Sequence, residues 1–131
     1  MTKVLVIDDD HMVRYTLSKI LRHAGYEVLT AADGQRGMTA FNSERPEIVV
    51  TDLIMPEQEG IETILQMRRA RPEVKIIAIS GGGRIANTDV LQLARSLGAD
   101  DIIAKPFEAE ELLTRLSHPD PFGAAAASSK P

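Results

Sequence analysis

Lys3-Val4-Leu5-Val6-Ile7-Asp8-Asp9-Asp10 begins as an apolar run and ends on three consecutive carboxylates. A short aliphatic, β-branched run that stops at acids reads as a buried strand leaving the core at an acidic loop. Three later stretches follow the same plan: EIVVTD closes on Asp52, VKIIAIS on Ser80 and DIIAK on Lys105. Counting Val28 to Thr30 as well, apolar runs recur at 4–7, 28–30, 48–51, 74–79 and 102–104, separated by longer stretches of helical periodicity.

Those intervening stretches predict five helices. Val13, Leu17, Ile20, Leu21 and Ala24 share a face of the first, and Gly25 stands where a helix would end. Asp33 is placed to cap the second, whose inner face would carry Gly37, Met38 and Phe41. Ile61, Ile64 and Leu65 form the stripe of the third, and Ala86, Val90, Leu93, Ala94 and Leu97 that of the fourth, with Gly98 as its stop. Leu112, Leu113 and Leu116 mark the fifth. The second and fourth strands read as nearly continuous hydrophobics, which suits strands covered by helices on both faces. The pattern predicts an α/β fold: a doubly wound, five-stranded parallel sheet in the order 2-1-3-4-5, a flavodoxin-like (βα)5 arrangement.

Composition sets the outer limits. The chain of 131 residues is 44% hydrophobic and 26% charged with a net charge of −4, as an ordinary globular domain is. No basic stripe predicts direct nucleic-acid binding, and no apolar run is long enough to span a membrane. The absence of cysteine excludes a disulfide framework and thiolate metal sites. With no signal peptide visible, a cytoplasmic location is expected. Residues 1–117 read as one domain, and 118–131, with three prolines from Ser117 onward and no periodicity, as a flexible tail of partly vector-like composition.

In the predicted topology ligands bind beyond the carboxyl ends of the strands. Asp8, Asp9, Asp52, Ser80 and Lys105 would meet there. Magnesium takes hard oxygens and commonly needs only one or two carboxylates, with water and phosphate completing the octahedron. Two carboxylates about 4 Å apart repel by roughly 4 kcal/mol at an effective dielectric near 20, so a cation relieves the cluster. Three aspartates and one lysine leave −2, which one divalent ion neutralises. Asp52 is the candidate nucleophile, because a carboxylate can carry a phosphoryl group as an acyl phosphate. Lys105 and the Ser80 hydroxyl could hold the equatorial oxygens of that group. Read singly, each of these residues is as readily a turn cap, a loop hydroxyl or a surface ammonium; the joint placement at strand exits favours a site.

With these motifs in place, the chain from Lys3 to Leu116 closely resembles the receiver domain of two-component response regulators, here apparently stand-alone. KVLVIDDD is similar to the family's first strand and acidic pair, and TDLIMPEQEG to its phosphoacceptor segment, with Pro56 and Gly60 at the family's spacing. The resemblance implies a phosphoryl group on Asp52, donated by a histidine kinase or a phosphotransfer protein. It implies Mg2+ held by Asp8, Asp9, Asp52 and the backbone carbonyl of Ile54. Ser80 matches the family's switch hydroxyl, and Lys105-Pro106-Phe107 its signature, with a cis bond at Pro106.

The same resemblance implies a phosphorylation-driven protein-interaction switch toward a downstream protein target, without independent enzymatic turnover. The chain departs from the pattern at Ile102, the switch position, where the family commonly carries Tyr or Phe. It departs again at Gly81-Gly82-Gly83-Arg84, either a wide turn or a hinge for Ser80. The rival readings are a receiver-like adaptor that is never phosphorylated, a magnesium-dependent aspartyl phosphohydrolase and a flavin carrier. Met12 spoils the phosphohydrolase motif begun by Asp8 and Asp10, and Asp8 to Asp10 would repel a flavin phosphate.

Overall fold

In the computed structural model, residues 1–53, 59–80 and 95–117 are described. Five strands, β1 (Lys3–Ile7), β2 (Glu27–Ala31), β3 (Ile48–Asp52), β4 (Lys75–Ser80) and β5 (Asp101–Ala104), form one parallel sheet in the order β2-β1-β3-β4-β5. The described helices are α1 (His11–His23), α2 (Gly34–Glu44), α3 (Glu59–Ala70) and a C-terminal helix, Ala109–Ser117. Most of the stretch predicted as the fourth helix lies outside the described residues, as do Gly81 to Arg84 and the tail from residue 118; residues 95–97 are helical, and Gly98 follows with a φ of 106°.

The sheet divides the core by the alternation of its side chains. Leu5 and Ile7 face one way, packing with Val49, Ile76, Ala78 and Ile102 against Phe41 of α2 and Ile64 and Met67 of α3. Val4 and Val6 face the other way, with Val50, Ile77, Ile79 and Ile103 against Leu17 and Leu21 of α1 and Leu112 and Leu116 of the C-terminal helix. Successive residues of a strand point to opposite faces, so a continuous apolar run serves two helical layers at once.

Helix ends follow local chemistry. The Asp10 carboxylate accepts from the Met12 amide at 2.8 Å and caps α1; Asp33 accepts from Arg36 at 2.8 Å and caps α2, as its position predicted. After α1 the chain turns through Gly25 at φ 99°, a left-handed geometry that glycine adopts without a Cβ penalty.

β2 is an edge strand with Glu27 and Thr30 exposed, yet Val28 and Ala31 are buried in the cores on opposite faces of the sheet. The structure corrects the reading in two places. Ala24, assigned to the inner face of α1, is exposed because it lies at the C-cap. The α3 stripe is carried by Ile64 and Met67, both fully buried, while Ile61 and Leu65 are only partly so.

Candidate functional site at the carboxyl ends of the strands

β1 ends at Ile7, and the next residue, Asp8, sinks into the interior with only 1% of its surface exposed. Its amide donates to the Ala31 carbonyl at 3.2 Å, and its Oδ1 accepts from the Asp10 amide at 2.8 Å. Asp9, next along the turn, is exposed. Asp52 is the last residue of β3 and is buried; Leu53 after it stays in the ladder by donating to the Ile79 carbonyl at 2.8 Å. One carboxylate oxygen from each of Asp8, Asp9 and Asp52 lies within 4.8 Å of the others. Such a set of hard oxygens, drawn from two adjacent strand exits, can hold a divalent cation.

Lys105 enters from the far side of the sheet. Its amide donates to the Ser80 carbonyl at 3.0 Å, which fixes the end of β5 to the end of β4. Its Nζ then reaches Asp8 Oδ2 at 3.4 Å and Asp52 Oδ2 at 3.7 Å. Ser80 is buried between these exits, opposite Ala104 in the register, and the Lys105–Pro106 peptide bond is cis.

Gly60 stands under the site. A Cβ there would collide with the carbonyl oxygens of Asp52 and Leu53 and come within 2.8 Å of the Leu53 carbonyl carbon, all of them backbone atoms that cannot step aside. Glycine at this position thus lets α3 begin directly against the end of β3. Ile54 and Pro56, also singled out in the sequence, lie outside the described residues. Ile102 is on β5, 7% exposed, and packs with Ile76, Ala78 and Ala99 on the α2–α3 face of the sheet.

Burial dominates the electrostatics of Asp8. Desolvation lifts its carboxyl above the ordinary carboxylate range, and the neighbouring charge of Asp9 adds to the rise; the Asp10 amide and Lys105 work in the opposite direction. Asp8 therefore carries its charge at a cost, which a cation in the pocket would offset. Reading the residues separately did not reveal Asp10 as a helix cap or Arg14, whose guanidinium donates to the Asp8 carbonyl at 2.7 Å.

A doubly wound parallel sheet with an acidic cluster, a lysine and a hydroxyl at its carboxyl edge defines a class of phosphoryl-responsive signalling domain. The chain belongs to the response regulator receiver domain family, whose model matches residues 4–117. It is 38% identical over 114 residues to a probable transcriptional regulator, ycf27, of Cyanophora paradoxa, covering 87% of this chain and 46% of that protein. To the response regulator MprA of Mycolicibacterium vanbaalenii it is 36% identical over 118 residues, covering 87% of this chain and 48% of that protein.

The chain thus spans about half the length of these curated relatives. Among solved structures it superposes on chemotaxis protein CheY4 of Vibrio cholerae with a TM-score of 0.81 at 31% identity, covering 88% of this chain and 96% of that one. A CheY-like receiver domain of Methanospirillum hungatei matches with a TM-score of 0.80 at 28% identity, covering 88% and 90%.

Proposed function

We propose that the chain is a phosphorylation-driven switch in which Asp52 accepts a phosphoryl group from a histidine kinase or a phosphotransfer protein. One observation carries this reading: the Lys105 ammonium lies within 4 Å of both Asp8 and Asp52 while Asp9 completes a three-carboxylate pocket at the same edge. An Asp52 oxygen attacks phosphorus as the bond from phosphorus to the donor imidazole nitrogen breaks, and that nitrogen keeps the electron pair. The product is an acyl phosphate on Asp52.

Mg2+, held by Asp8, Asp9 and Asp52 with the Ile54 carbonyl proposed by resemblance, would neutralise charge on the transferring oxygens. Lys105 holds a second oxygen by charge, and the Ser80 hydroxyl donates to a third. Asp8, already at a cost when ionised, keeps the pocket unfavourable for a phosphate dianion until the cation is present.

In this reading the chemistry is self-modification only, in a cytoplasmic protein, and the signal leaves by contact with a downstream protein rather than with nucleic acid. Residues 118–131 are proposed to lie outside the receiver unit. Moving a two-state surface from 1:99 to 99:1 takes roughly 5.5 kcal/mol of preference, within reach of a few charge-assisted hydrogen bonds to the phosphoryl oxygens. A switch at position 102 would differ from an aromatic one, because Ile102 is already packed among Ile76, Ala78 and Ala99.

Incubation with acetyl phosphate and magnesium, read by intact mass, tests the assignment. The wild type should gain one phosphoryl group and Asp52→Asn none. Labelling that persists in Asp52→Asn removes that residue from its role. No labelling of the wild type despite magnesium binding favours the adaptor reading, and steady turnover of a small phosphate ester favours the phosphohydrolase.

A further inference from the structure

The polar atoms of Asp8 are held from several directions. Its amide is held by Ala31 at the end of β2, its Oδ1 by the Asp10 amide and its Oδ2 by Lys105. The fourth, its backbone carbonyl, lies beyond the last β1–β2 register pair, Ile7 opposite Ala31. A carbonyl that leaves a ladder while still inside the protein needs another donor. Here the donor is the side chain of Arg14, Nη1 at 2.7 Å, from a half-buried guanidinium on the first turn of α1.

Arg14 is bound to the same turn a second time. Its amide donates to the Asp10 carbonyl at 3.0 Å, and the Asp10 carboxylate caps the helix at the Met12 amide. The turn Asp8-Asp9-Asp10 is therefore closed into a ring with the start of α1: Asp8 to Asp10 through Oδ1, Asp10 to α1 through the cap, and α1 back to Asp8 through the guanidinium. The Asp8 carboxylate oxygens are engaged by the Asp10 amide and Lys105, whereas Arg14 meets only the carbonyl, so the guanidinium acts on the position of the turn.

We infer that Arg14 is a positioning residue for cation binding: by holding the Asp8 carbonyl it sets the turn from which the Asp8 and Asp9 carboxylates reach the pocket. This inference rests on the metal-binding reading above and adds to it a residue that touches neither metal nor phosphoryl group. Groups that orient metal ligands commonly change affinity by about 10- to 100-fold when removed. A backbone contact belongs at the low end of that range.

Calorimetric titration of the full chain with magnesium chloride, well below its melting temperature, tests this with Arg14→Met, which keeps an unbranched apolar stem but no donor. Arg14→Met should bind magnesium about tenfold more weakly than the wild type, while its labelling rate by acetyl phosphate returns to the wild-type value at saturating magnesium. A role limited to fold stability would lower the melting temperature and leave the dissociation constant unmoved.

Wild-type affinity in folded Arg14→Met, alongside lost affinity in Asp9→Asn, overturns the inference and leaves the metal site standing. Absence of magnesium binding by the wild type overturns both. If Arg14→Met does not fold, Arg14→Gln takes its place, with weakened binding expected and wild-type affinity again decisive against the inference.

Discussion

The start of the edge strand β5 and the carboxyl end of the sheet each bury an aspartate, and they treat it in opposite ways. At the start of β5, opposite Ile77 of β4, Asp101, 2% exposed, faces Arg115 of the C-terminal helix, whose Nη1 lies 2.7 and 2.8 Å from its two carboxylate oxygens. Close by, Arg68 joins Asp100 at 2.7 Å and also donates to the carbonyls of Pro72, Val74 and Gly98. At the carboxyl end Asp8, 1% exposed, meets an ammonium at 3.4 Å and has Asp9 and Asp52 in the same pocket. At the start of β5 the buried carboxylate has an arginine at 2.7 Å; at the carboxyl end three carboxylates share a pocket with Lys105, 3.4 Å from Asp8 and 3.7 Å from Asp52. Stability is concentrated where a buried carboxylate faces its own guanidinium, and binding capacity where three carboxylates crowd together.

The strongest test applies one substitution to both ends. Asp101→Asn removes the charge that Arg115 holds and should lower stability by about 2–3 kcal/mol, at the lower part of the range for breaking a buried pair because Arg115 is partly exposed. Urea unfolding at neutral pH measures it, and a loss under half a kcal/mol would erase the contrast. Second in size is the response to metal. Magnesium at ten times its dissociation constant should add about 1.4 kcal/mol by mass action, an increment that Asp9→Asn abolishes and that Arg115→Met keeps.

Asp8→Asn is the mirror of the first test. Without metal it should raise stability by about 1 kcal/mol, as replacement of a functional but strained group often does. It should also remove the magnesium increment; a destabilised Asp8→Asn would mean that Asp8 is held as firmly as Asp101.

The smallest effect is the pH dependence of that gain. Because burial raises the Asp8 pKa above 3.8, the folded protein binds its proton more tightly than the unfolded chain does. The associated stability is fully present below 3.8 and is lost as pH rises through the folded value. The advantage of Asp8→Asn over the wild type in a metal chelator should therefore grow from near pH 4 upward and then level off. An advantage that shrinks over that interval would reverse the sign assigned to burial.

The carboxyl end was far more legible in the sequence than the ion pairs around the start of β5. Asp8, Asp9, Asp52, Ser80 and Lys105 each close an apolar run, so a parallel sheet alone brings them together. Asp101, Arg115, Arg68 and Lys75 give no such signal, because their partners are far apart in sequence and a lone arginine in a helix reads as a solvated charge. The edge position of β2 shows only in the exposure of Glu27 and Thr30, while Val28 and Ala31 enter the two cores as their apolar character predicts. Met67 was passed over because it lies beyond the first stripe of α3, yet it is fully buried. Arg14 was hidden because a side-chain bond to a main-chain carbonyl leaves no pattern of charge.

Lys75, at the first position of β4, donates to the carbonyls of Arg115 and Leu116 at 2.6 and 2.9 Å. That clamp pins the final turn of the C-terminal helix to the foot of the sheet, so Ser117 lies at the pole opposite the acidic pocket. A six-residue strand rises about 20 Å. The end of the described helix and the acidic pocket are thus separated by the height of the sheet, and any coupling between the two has to pass through the packed core.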